Sequence, residues 1–386
     1  MERRIKVKIA IINPWAISGK SIGGTERFVI DLAESLKELG NEIDVYMFSG
    51  EPHKEQDINY ININLFEMQG EADEYIIQDT FGNFETEESY NELAKKIENK
   101  IDVSKYDCIH LNSQLFLQAW KGKKRIFTIH TNPFEYELAW GKKSFVKMLE
   151  LMKKYKNNEL TTFVAPSKYY AEEYEKLTEC EIKYIPHAID VNRLYTKNSK
   201  DDITQKYNLN REKIRILVPS RLEPMQKQPM LVIEACCLLE NDIKDKIEIV
   251  FTGLDKQYIK FVQELQDKAK NNNLDIKIIR FDKMSEAYKI ADLTVLPSKS
   301  ESFGYSALES LSLGIPTILN NIPTFREIAE GNNNVQIFDN SAVELKNRLQ
   351  ELIISKKYEE RNLPNDKWSK KYNLNTFAKN YFDLMI

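Results

Sequence analysis

Two pairs of charged residues lie just beyond short apolar runs of the sequence. Arg221 and Lys227 are six residues apart in PSRLEPMQK, which follows IRILVP. Glu301 and Glu309 are eight residues apart in SKSESFGYSALESLSLGIP, which follows LTVLP. A guanidinium and an ammonium suit a departing diphosphate, because negative charge builds up there as the bond to it breaks. Two solvated surface cations are the alternative interpretation of the basic pair.

The stretch around the two glutamates predicts a helix start suited to phosphate. Residues 306–313 follow a helical pattern that Gly314 ends, with Pro316 just beyond. The first turn consists of Phe303, Gly304, Tyr305 and Ser306. Unpaired backbone N–H groups and the positive end of the helix dipole favour a phosphate at such a turn. We expect one of these carboxylates to reach a sugar and the other to reach ribose hydroxyls, although a turn cap and a solvated face are ordinary roles for such carboxylates.

Two further candidates lie in the first half of the chain. Gly23 and Gly24, in SGKSIGGTERFV, stand between the first predicted strand and its helix. Missing side chains there allow a ligand to approach the backbone, but such a pair also marks an ordinary tight turn. His130 ends the predicted strand RIFTIH and would project into a cleft. A single histidine is more often structural than catalytic, so its position is the reason for including it.

Short apolar runs alternate with amphipathic stretches, which predicts an α/β fold. The predicted strands are VKIAII, EIDVYMF, CIHLN, RIFTIH and TFVAP in the first half, and IRILVP, IEIVFTG, IKIIRF, LTVLP and PTIL in the second. Helical patterns separate them, such as residues 25–39 with apolar residues at helical spacing. Strand, helix and strand in succession predict parallel sheets with helices on both faces.

The length of the chain and one polar stretch predict two domains. A chain of 386 residues exceeds one ordinary core, and PHAIDVNRLYTKNSKDDITQKYNLNREK interrupts the apolar rhythm near residues 190–212. We expect Rossmann-like, doubly wound domains at 1–190 and 191–371. They would face each other across a cleft at the carboxyl ends of both sheets, where ligands of such sheets bind. Residues 51–100 are acidic and weakly patterned, which is typical of an insertion.

Composition and charge argue against several classes of protein. The net charge is −4 and basic residues are mixed with acidic ones, so no overall field predicts binding to nucleic acid. Four cysteines without CxxC spacing, and a start without a long apolar segment, predict a reduced, cytoplasmic protein. No apolar run approaches the roughly 20 residues that span a bilayer.

Together these motifs resemble glycosyltransferase family 4, whose members are nucleotide-sugar enzymes of the GT-B fold, over nearly the whole chain. Glu301 and Glu309 match the E-x7-E element of that family. Arg221 and Lys227 match its Arg and Lys pair, and His130 matches its strand-end histidine. IGGTERFV resembles its glycine loop, and IPHAID resembles the tract that ends its first domain. PTFREI resembles a segment near the donor sugar, and YNLNTFAKNYFDLM resembles its closing helix.

The resemblance implies transfer of a hexose from a nucleoside diphosphate sugar with retention of the anomeric configuration. Uridine is the commonest base in the family, so a UDP-sugar is the first expectation, and a glycan, a lipid-linked molecule or a small molecule is the acceptor. Neither a cofactor nor a catalytic metal is implied. No DxD pair stands beside an apolar strand, so the cations Arg221 and Lys227 would take the place of a metal at the diphosphate.

The resemblance also implies a role for each matched residue. Glu309 would hold the ribose hydroxyls and Glu301 the sugar hydroxyls, while His130 would contact the sugar and organise the reacting centre. The phosphates would accept hydrogen bonds from the backbone of Gly304, Tyr305 and Ser306. The closing helix, at about residues 372–386, would return to the first domain.

This sequence departs from the family pattern at three places. His187 and Ala188 stand where relatives commonly have Asn-Gly, so that turn is expected to differ. Ser302 stands where glycine is frequent, which stiffens the donor loop. Thr131 follows His130 where an acidic residue is common, and this leaves the protonation of the histidine open.

A basic amphipathic stretch at residues 142–158 bears on partners. One predicted helical face carries Phe145, Met148, Leu149, Met152 and Tyr155, with lysines around it. We favour a core-facing helix with a solvated basic side. The alternative, together with KGKKR at 121–125, is peripheral contact with an anionic membrane that carries a lipid-linked acceptor, at the inner face of the cell membrane.

Four other classes of protein stay open as alternatives or are disfavoured. A nucleotide-sugar epimerase of the same fold type would release nucleotide and altered sugar without any acceptor. A non-catalytic sensor would bind the donor without turnover. A periplasmic sugar-binding protein is disfavoured because no signal peptide is evident at the start, and a glycan phosphorylase because no lysine context suggests a pyridoxal cofactor.

Overall fold

The computed structural model describes residues 6–14, 23–48, 50–65, 84–253 and 258–386. The chain forms two compact units, each built on a mostly parallel sheet. Unit 1 comprises Met1–Ala188 together with Lys371–Ile386, and unit 2 comprises Ile189–Lys370. Unit 1 is therefore discontinuous in sequence.

Unit 1 contains an eight-stranded sheet. Its strands are β1 (Lys8–Asn13), β2 (Glu42–Met47), β3 (His53–Glu55), β4 (Ile58–Asn62), β5 (Cys108–Leu111), β6 (Arg125–Thr128), β7 (Thr161–Ala165) and β8 (Ile182–Tyr184). They lie in the order β3-β4-β2-β1-β5-β6-β7-β8, and only the β3–β4 pair is antiparallel among the described strands. Strands β1, β5 and β6 are almost wholly buried, and their apolar sequences fit positions that are covered on both faces.

Helices cover both faces of this sheet. They are α1 (Gly24–Glu38), α2 (Glu87–Glu98), α3 (Pro133–Trp140), α4 (Lys142–Lys153), α5 (Lys168–Thr178) and α15 (Leu374–Met385). The last helix, α15, packs against the first, and the ring of Phe28 lies 5.7 Å from that of Phe377 and 5.8 Å from that of Tyr381. The end of the chain therefore completes the apolar layer that its beginning starts.

Unit 2 contains a six-stranded parallel sheet around its own core. Its strands are β9 (Ile214–Val218), β10 (Ile247–Phe251), β11 (Ile276–Ile278), β12 (Leu293–Leu296), β13 (Thr317–Asn320) and β14 (Val335–Phe338), in the order β11-β10-β9-β12-β13-β14. Its helices are α6 (Lys200–Lys206), α7 (Pro229–Cys237), α8 (Asn241–Lys244), α9 (Ile259–Asn271), α10 (Met284–Ile290), α11 (Tyr305–Ser312), α12 (Pro323–Ala329) and α13 (Ala342–Ile354), followed by α14 (Asp366–Lys371) at the boundary with unit 1.

Among the parallel strands, the strand order reverses once in each sheet. In unit 1 the reversal falls between β1 and β5, and in unit 2 between β9 and β12. Open α/β sheets bind ligands outside the carboxyl ends of the strands at such a switch point. The loops that follow these four strands are therefore where a site is expected.

All ten predicted strands are present, and the sheets contain four more: β3, β4, β8 and β14. The interpretation of residues 51–100 as an insertion is wrong for the part that the structure describes. Strand β4 pairs in parallel with β2, and α2 buries Tyr90, Leu93 and Ile97 in the core of unit 1. Residues 66–83 lie outside the described residues.

The polar stretch near 190–212 is also more ordered than its composition predicts. Helix α6 begins with a capping box, in which the side chains of Ser199 and Asp202 each bond to the backbone of the other. Ile203 of this helix is buried within unit 2. The segment therefore belongs to the fold of unit 2.

Candidate active site

An ion pair joins two of the predicted charged residues at the switch point of unit 2. Lys227 Nζ lies 2.7 Å from Glu301 Oε1, and each side chain is only 14% exposed. The hydroxyl of Ser298 donates to the same carboxylate oxygen at 2.8 Å. Burial removes hydration from both charges, so a pair like this contributes little net stability. Its position at a switch point therefore favours a functional role over a structural one.

The loop that carries Lys227 is folded by Glu223. The carboxylate of Glu223 accepts hydrogen bonds from three consecutive backbone N–H groups, those of Met225, Gln226 and Lys227, at 2.8, 2.5 and 3.1 Å. Gln226 then joins this loop to the loop after β12. Its carbonyl accepts from the N–H of Lys299 at 2.7 Å, and its side-chain amide donates to the carbonyl of Ser300 at 3.1 Å. The two loops are thus held together at the switch point.

Arg221 stands in the same loop with its side chain exposed to solvent, and it forms no ion pair with any residue in the described ranges. The backbone beneath it is tightly packed against Gly253. A Cβ atom at Gly253 would lie 2.6 Å from Arg221 Cα and 2.7 Å from the carbonyl oxygen of Ser220. Only glycine fits that position, so the base of the Arg221 loop is fixed while its guanidinium extends outward.

Helix α11 begins at the same edge of the sheet. Gly304 is its N-cap with φ of +105°, and as a glycine it has no side chain with which to cap the helix. A Cβ at Gly304 would lie 2.8 Å from the ring of Phe325 and 3.5 Å from Ile328, both on α12. Backbone conformation and space therefore both require glycine here. The helix starts at Tyr305, one residue earlier than predicted, and its first turn lies where the sequence predicts a phosphate.

Two of the predicted contacts at this turn have defined surroundings. The ring of Phe303 is buried and lies 5.4 Å from that of Tyr305, so a contact with phosphate falls to its backbone. Glu309, about one turn into α11, accepts a hydrogen bond of 2.5 Å from the hydroxyl of Tyr288 on α10. Because Tyr288 is fully buried, Glu309 is a positioned carboxylate and not a freely solvated one.

His130 of unit 1 lies beside the switch point of its own sheet. It follows β6 by two residues, so it lies beyond the strand that was predicted to end with it. Its Nε2 is 2.5 Å from Oδ1 of Asn112, which directly follows β5. The amide nitrogen of Asn112 donates in turn to Oδ1 of Asn13, the last residue of β1, at 2.8 Å. Both asparagines are buried.

Three histidines surround the ring of Phe28. The ring centroids of His110, His130 and His187 lie 5.6, 4.6 and 4.7 Å from that of Phe28. Burial lowers the pKa of His110 and that of His130 to about 3, and it lowers the pKa of His187 well below its ordinary value. All three rings are therefore neutral near pH 7, which answers for His130 the question that Thr131 had left open.

The described surroundings of Gly23 do not require a glycine at that position. Gly23 is the N-cap of α1 in an extended conformation, and Gly24 is the first residue of the helix. A Cβ at Gly23 would meet only the flexible carboxylate of Glu26. Residues 15–22 lie outside the described residues, and the binding role of both glycines stays a prediction.

The amphipathic stretch forms helix α4 with its apolar face turned toward the core, which confirms the favoured interpretation. Met148, Met152 and Tyr155 are buried, and Phe145 and Leu149 pack against the same core. Four of the lysines form ion pairs at the surface: Lys143 with Glu85, Lys147 with Glu150, Lys154 with Glu87, and Lys156 with Glu179. The apolar face is therefore occupied by the protein itself.

Two kinds of feature are absent from the described ranges. No three His, Cys, Asp or Glu side chains there are grouped so that they could hold a metal ion. No described helix has the length and apolar character to cross a membrane.

Five residues of the two switch points were not among the predicted site residues: Asn13, Asn112, Ser298, Glu223 and Tyr288. Asn13, Asn112 and Ser298 stand at or just after the end of a strand, so the rule that identified His130 could also have found them. The other two had no sequence signal. Glu223 acts through a local turn, and Tyr288 through a contact between two helices.

Known proteins share this architecture. Sucrose-phosphate synthase from Thermosynechococcus elongatus matches with a TM-score of 0.75 over 98% of each chain, at 16% identity. Anabaena HepE, solved in complex with UDP and glucose, matches with a TM-score of 0.71 over 98% of each chain, at 15% identity. Mannosylfructose-phosphate synthase from Agrobacterium fabrum is 21% identical over 326 residues, which is 77% of this chain and 71% of that protein. The chain therefore has the GT-B fold.

Two family models account for most of the sequence. The model of Glycosyltransferase Family 4 matches residues 22–193, and that of Glycosyl transferases group 1 matches residues 199–367. The chain belongs to glycosyltransferase family 4, and the resemblance that its motifs indicated is confirmed.

Proposed function

We propose that the protein is a retaining glycosyltransferase that moves a hexose from a nucleoside diphosphate sugar, first of all a UDP-sugar, to an acceptor hydroxyl without a catalytic metal. The acceptor is a glycan, a lipid-linked molecule or a small molecule. The observation that carries the proposal is the Lys227–Glu301 pair at the switch point of unit 2. Arg221 and the start of α11 lie on the same two loops.

Each part of this arrangement has a task in the proposed reaction. The bond between the anomeric carbon and the diphosphate breaks, and the cations Arg221 and Lys227 stabilise the charge on the departing oxygen. Glu301 orients Lys227 and accepts hydroxyls of the sugar, while Glu309 accepts those of the ribose. The acceptor oxygen bonds to the anomeric carbon on the same face, and its proton passes to the departing phosphate. His130 contacts the sugar.

A UDP-sugar is proposed because the matched HepE structure contains UDP and glucose. A thermal-shift screen of UDP-, GDP- and ADP-sugars tests this choice. A ligand at a hundred times its Kd stabilises the native state by about 2.7 kcal/mol, so the correct donor is expected to stand out. If every sugar nucleotide leaves the melting temperature unchanged, the proposal is wrong.

Product analysis tests the reaction itself. With the donor found in the screen, we expect an acceptor-linked sugar with the donor's anomeric configuration, and the same rate in EDTA as without it. An inverted product would refute retention, and loss of activity in EDTA that Mg²⁺ or Mn²⁺ restores would refute metal-free transfer. Release of free nucleotide and altered sugar without acceptor would point to an epimerase, and tight donor binding without turnover on any acceptor to a sensor.

A further inference from the structure

Three polar residues form a chain of hydrogen bonds across the switch point of unit 1. Asn13 ends β1, Asn112 follows β5, and His130 follows β6. Because β5 lies between β1 and β6 in the sheet, the three residues are neighbours although up to 117 positions separate them in the sequence. The chain runs from Asn13 Oδ1 through the amide of Asn112 to Nε2 of His130, with distances of 2.8 and 2.5 Å.

The direction of these hydrogen bonds fixes the protonation of the histidine ring. The Nδ2 group of Asn112 donates to Asn13, so the oxygen of the same amide is turned toward His130. An amide oxygen only accepts, so Nε2 of His130 has to carry the hydrogen. In a neutral imidazole the other nitrogen, Nδ1, is then an acceptor.

The surroundings of His130 keep the ring neutral and leave Nδ1 available. The ring packs against Phe28 and His187, and burial lowers the pKa of His130 to about 3. Nδ1 makes no hydrogen bond with any residue of the described ranges, and the side chain keeps some exposure. A ring fixed in this form offers a lone pair to a hydroxyl and has no proton to give from Nδ1.

We propose that Asn112 is a positioning residue for His130, whose ring it fixes in the Nε2–H tautomer with Nδ1 turned to accept a hydrogen bond from a hydroxyl of the donor sugar. The role at the sugar rests on the proposed function, whereas the tautomer does not. Asn13 completes the arrangement, because it holds the Asn112 amide in the required orientation.

The tautomer can be measured without any ligand. The chain has four histidines, so two-bond ¹⁵N–¹H correlations of the ¹⁵N-histidine-labelled protein contain four ring patterns, and a His130→Gln variant identifies that of His130. We expect His130 to be neutral and protonated at Nε2 at pH 7. An Nδ1–H ring or an imidazolium in the wild-type protein would overturn the proposal, and this measurement needs no variant of Asn112.

Two variants of similar design separate positioning from general packing. Asn112→Leu removes the amide beside His130, whereas Thr128→Val removes the hydroxyl that lies 2.9 Å from Nε2 of His110. We expect Asn112→Leu to mix the tautomers of His130 and leave the His110 pattern in place. Thr128→Val is expected to alter His110 and leave His130 unchanged. If Asn112→Leu keeps a pure Nε2–H ring at His130, Asn112 does not fix the tautomer.

Donor affinity tests the role at the sugar. For the sugar nucleotide that stabilises the wild-type chain most, we expect roughly tenfold weaker binding to Asn112→Leu by calorimetry, because one hydrogen bond to the ligand is lost. Binding of the corresponding nucleoside diphosphate, which lacks the sugar, should not change. If Asn112→Leu binds both ligands more weakly to the same degree, or binds both as tightly as the wild-type chain does, the role at the sugar is refuted. A wild-type chain that binds no sugar nucleotide refutes the proposed function and leaves the measured tautomer intact.

Discussion

The two switch points use opposite chemistry on the same architecture. In unit 2 the loops after β9 and β12 hold a buried ion pair between Lys227 and Glu301, with Arg221 exposed beside it. In unit 1 the described side chains that are hydrogen-bonded in line with His130 are neutral, namely the amides of Asn13 and Asn112. Each sheet thus brings residues together at the same topological position but gives them a different electrostatic character.

The difference fits a division of tasks in the proposed reaction. Charged side chains are needed where a diphosphate departs, because they stabilise the charge that develops there. Neutral donors and acceptors recognise sugar hydroxyls and do not attract the charged phosphates. Such recognition requires hydrogen-bonding groups that point in a fixed direction, and buried amides are groups of this kind.

The strongest test of the contrast is the dependence of stability on pH. All four histidines precede residue 189, so unit 2 has none. In the unfolded chain His110, His130 and His187 bind protons below about pH 6.5. In the native state the rings of His110 and His130 stay neutral down to about pH 3. The pKa of His187 is also lowered well below its ordinary value, so that ring stays neutral as well. The unfolded state then binds more protons, so stability is lost as pH falls through this window, by roughly 4 kcal/mol per pH unit for three rings.

Hydrogen exchange measures this loss of stability separately for each unit. After correction for the intrinsic pH dependence of exchange, peptides of β5 should lose protection between pH 6.5 and 4.5 well before those of β9. His187→Asn, with the residue common in relatives, should reduce the slope by about a third. Equal loss in both units would show that the neutral histidines do not set the acid limit of unit 1.

Removal of a cation from unit 2 should have the largest effect on turnover. Lys227→Ala deletes one contact with the diphosphate and leaves Glu301 buried without its partner. We expect a fall in turnover of roughly a hundredfold, or about 3 kcal/mol of barrier, with the fold retained by circular dichroism. Arg221→Ala should act in the same direction. The matched control is Lys299→Ala, which removes an exposed cation from the adjoining loop and should keep most activity. Near-normal rates in Lys227→Ala would contradict the role of the pair.

A smaller effect is expected at the ribose. Glu309→Ala should weaken donor binding about tenfold by calorimetry, because a carboxylate that accepts hydroxyls is lost. Tyr288→Phe removes only the hydrogen bond that positions that carboxylate, so it should weaken binding by about threefold. Glu330→Ala, at an exposed carboxylate, is the control. Unchanged donor affinity in Glu309→Ala would refute its role.

The smallest effect is expected for helix α4. Its apolar face is buried, and acidic partners offset many of its lysines. We therefore expect no sedimentation with anionic vesicles at physiological salt. Binding to the vesicles at physiological salt would support contact with a membrane. That contact would then depend on charge and not on the apolar face of the helix.

The sequence predicted the long, strongly apolar strands and the motifs that follow them. It missed β3, whose residues are all exposed, and β4, which lies in an acidic stretch, because neither carries the apolar pattern of a buried strand. Helix α6 escaped notice within a polar segment although its capping box, Ser199 to Asp202, was visible in the sequence.

Contacts at the site were harder to predict than its members. Lys227 and Glu301 were each recognised from a local motif, but their ion pair joins residues 74 positions apart and depends on how the loops after β9 and β12 fold. The same holds for Asn112 and Asn13, which are 99 positions apart. The spacing of motifs identifies residues that lie near the end of a strand. The hydrogen bonds between such residues depend on side-chain directions, which the local sequence does not determine.

The packing of α15 on α1 has a consequence for the way the protein is made. Phe28 is synthesised early, but Phe377 and Tyr381, which cover its ring, leave the ribosome only after all of unit 2. Unit 2 is continuous and can therefore reach its final form first, which reverses the usual order in which domains mature during translation. Until α15 has been synthesised, the part of α1 that it covers keeps its apolar surface uncovered.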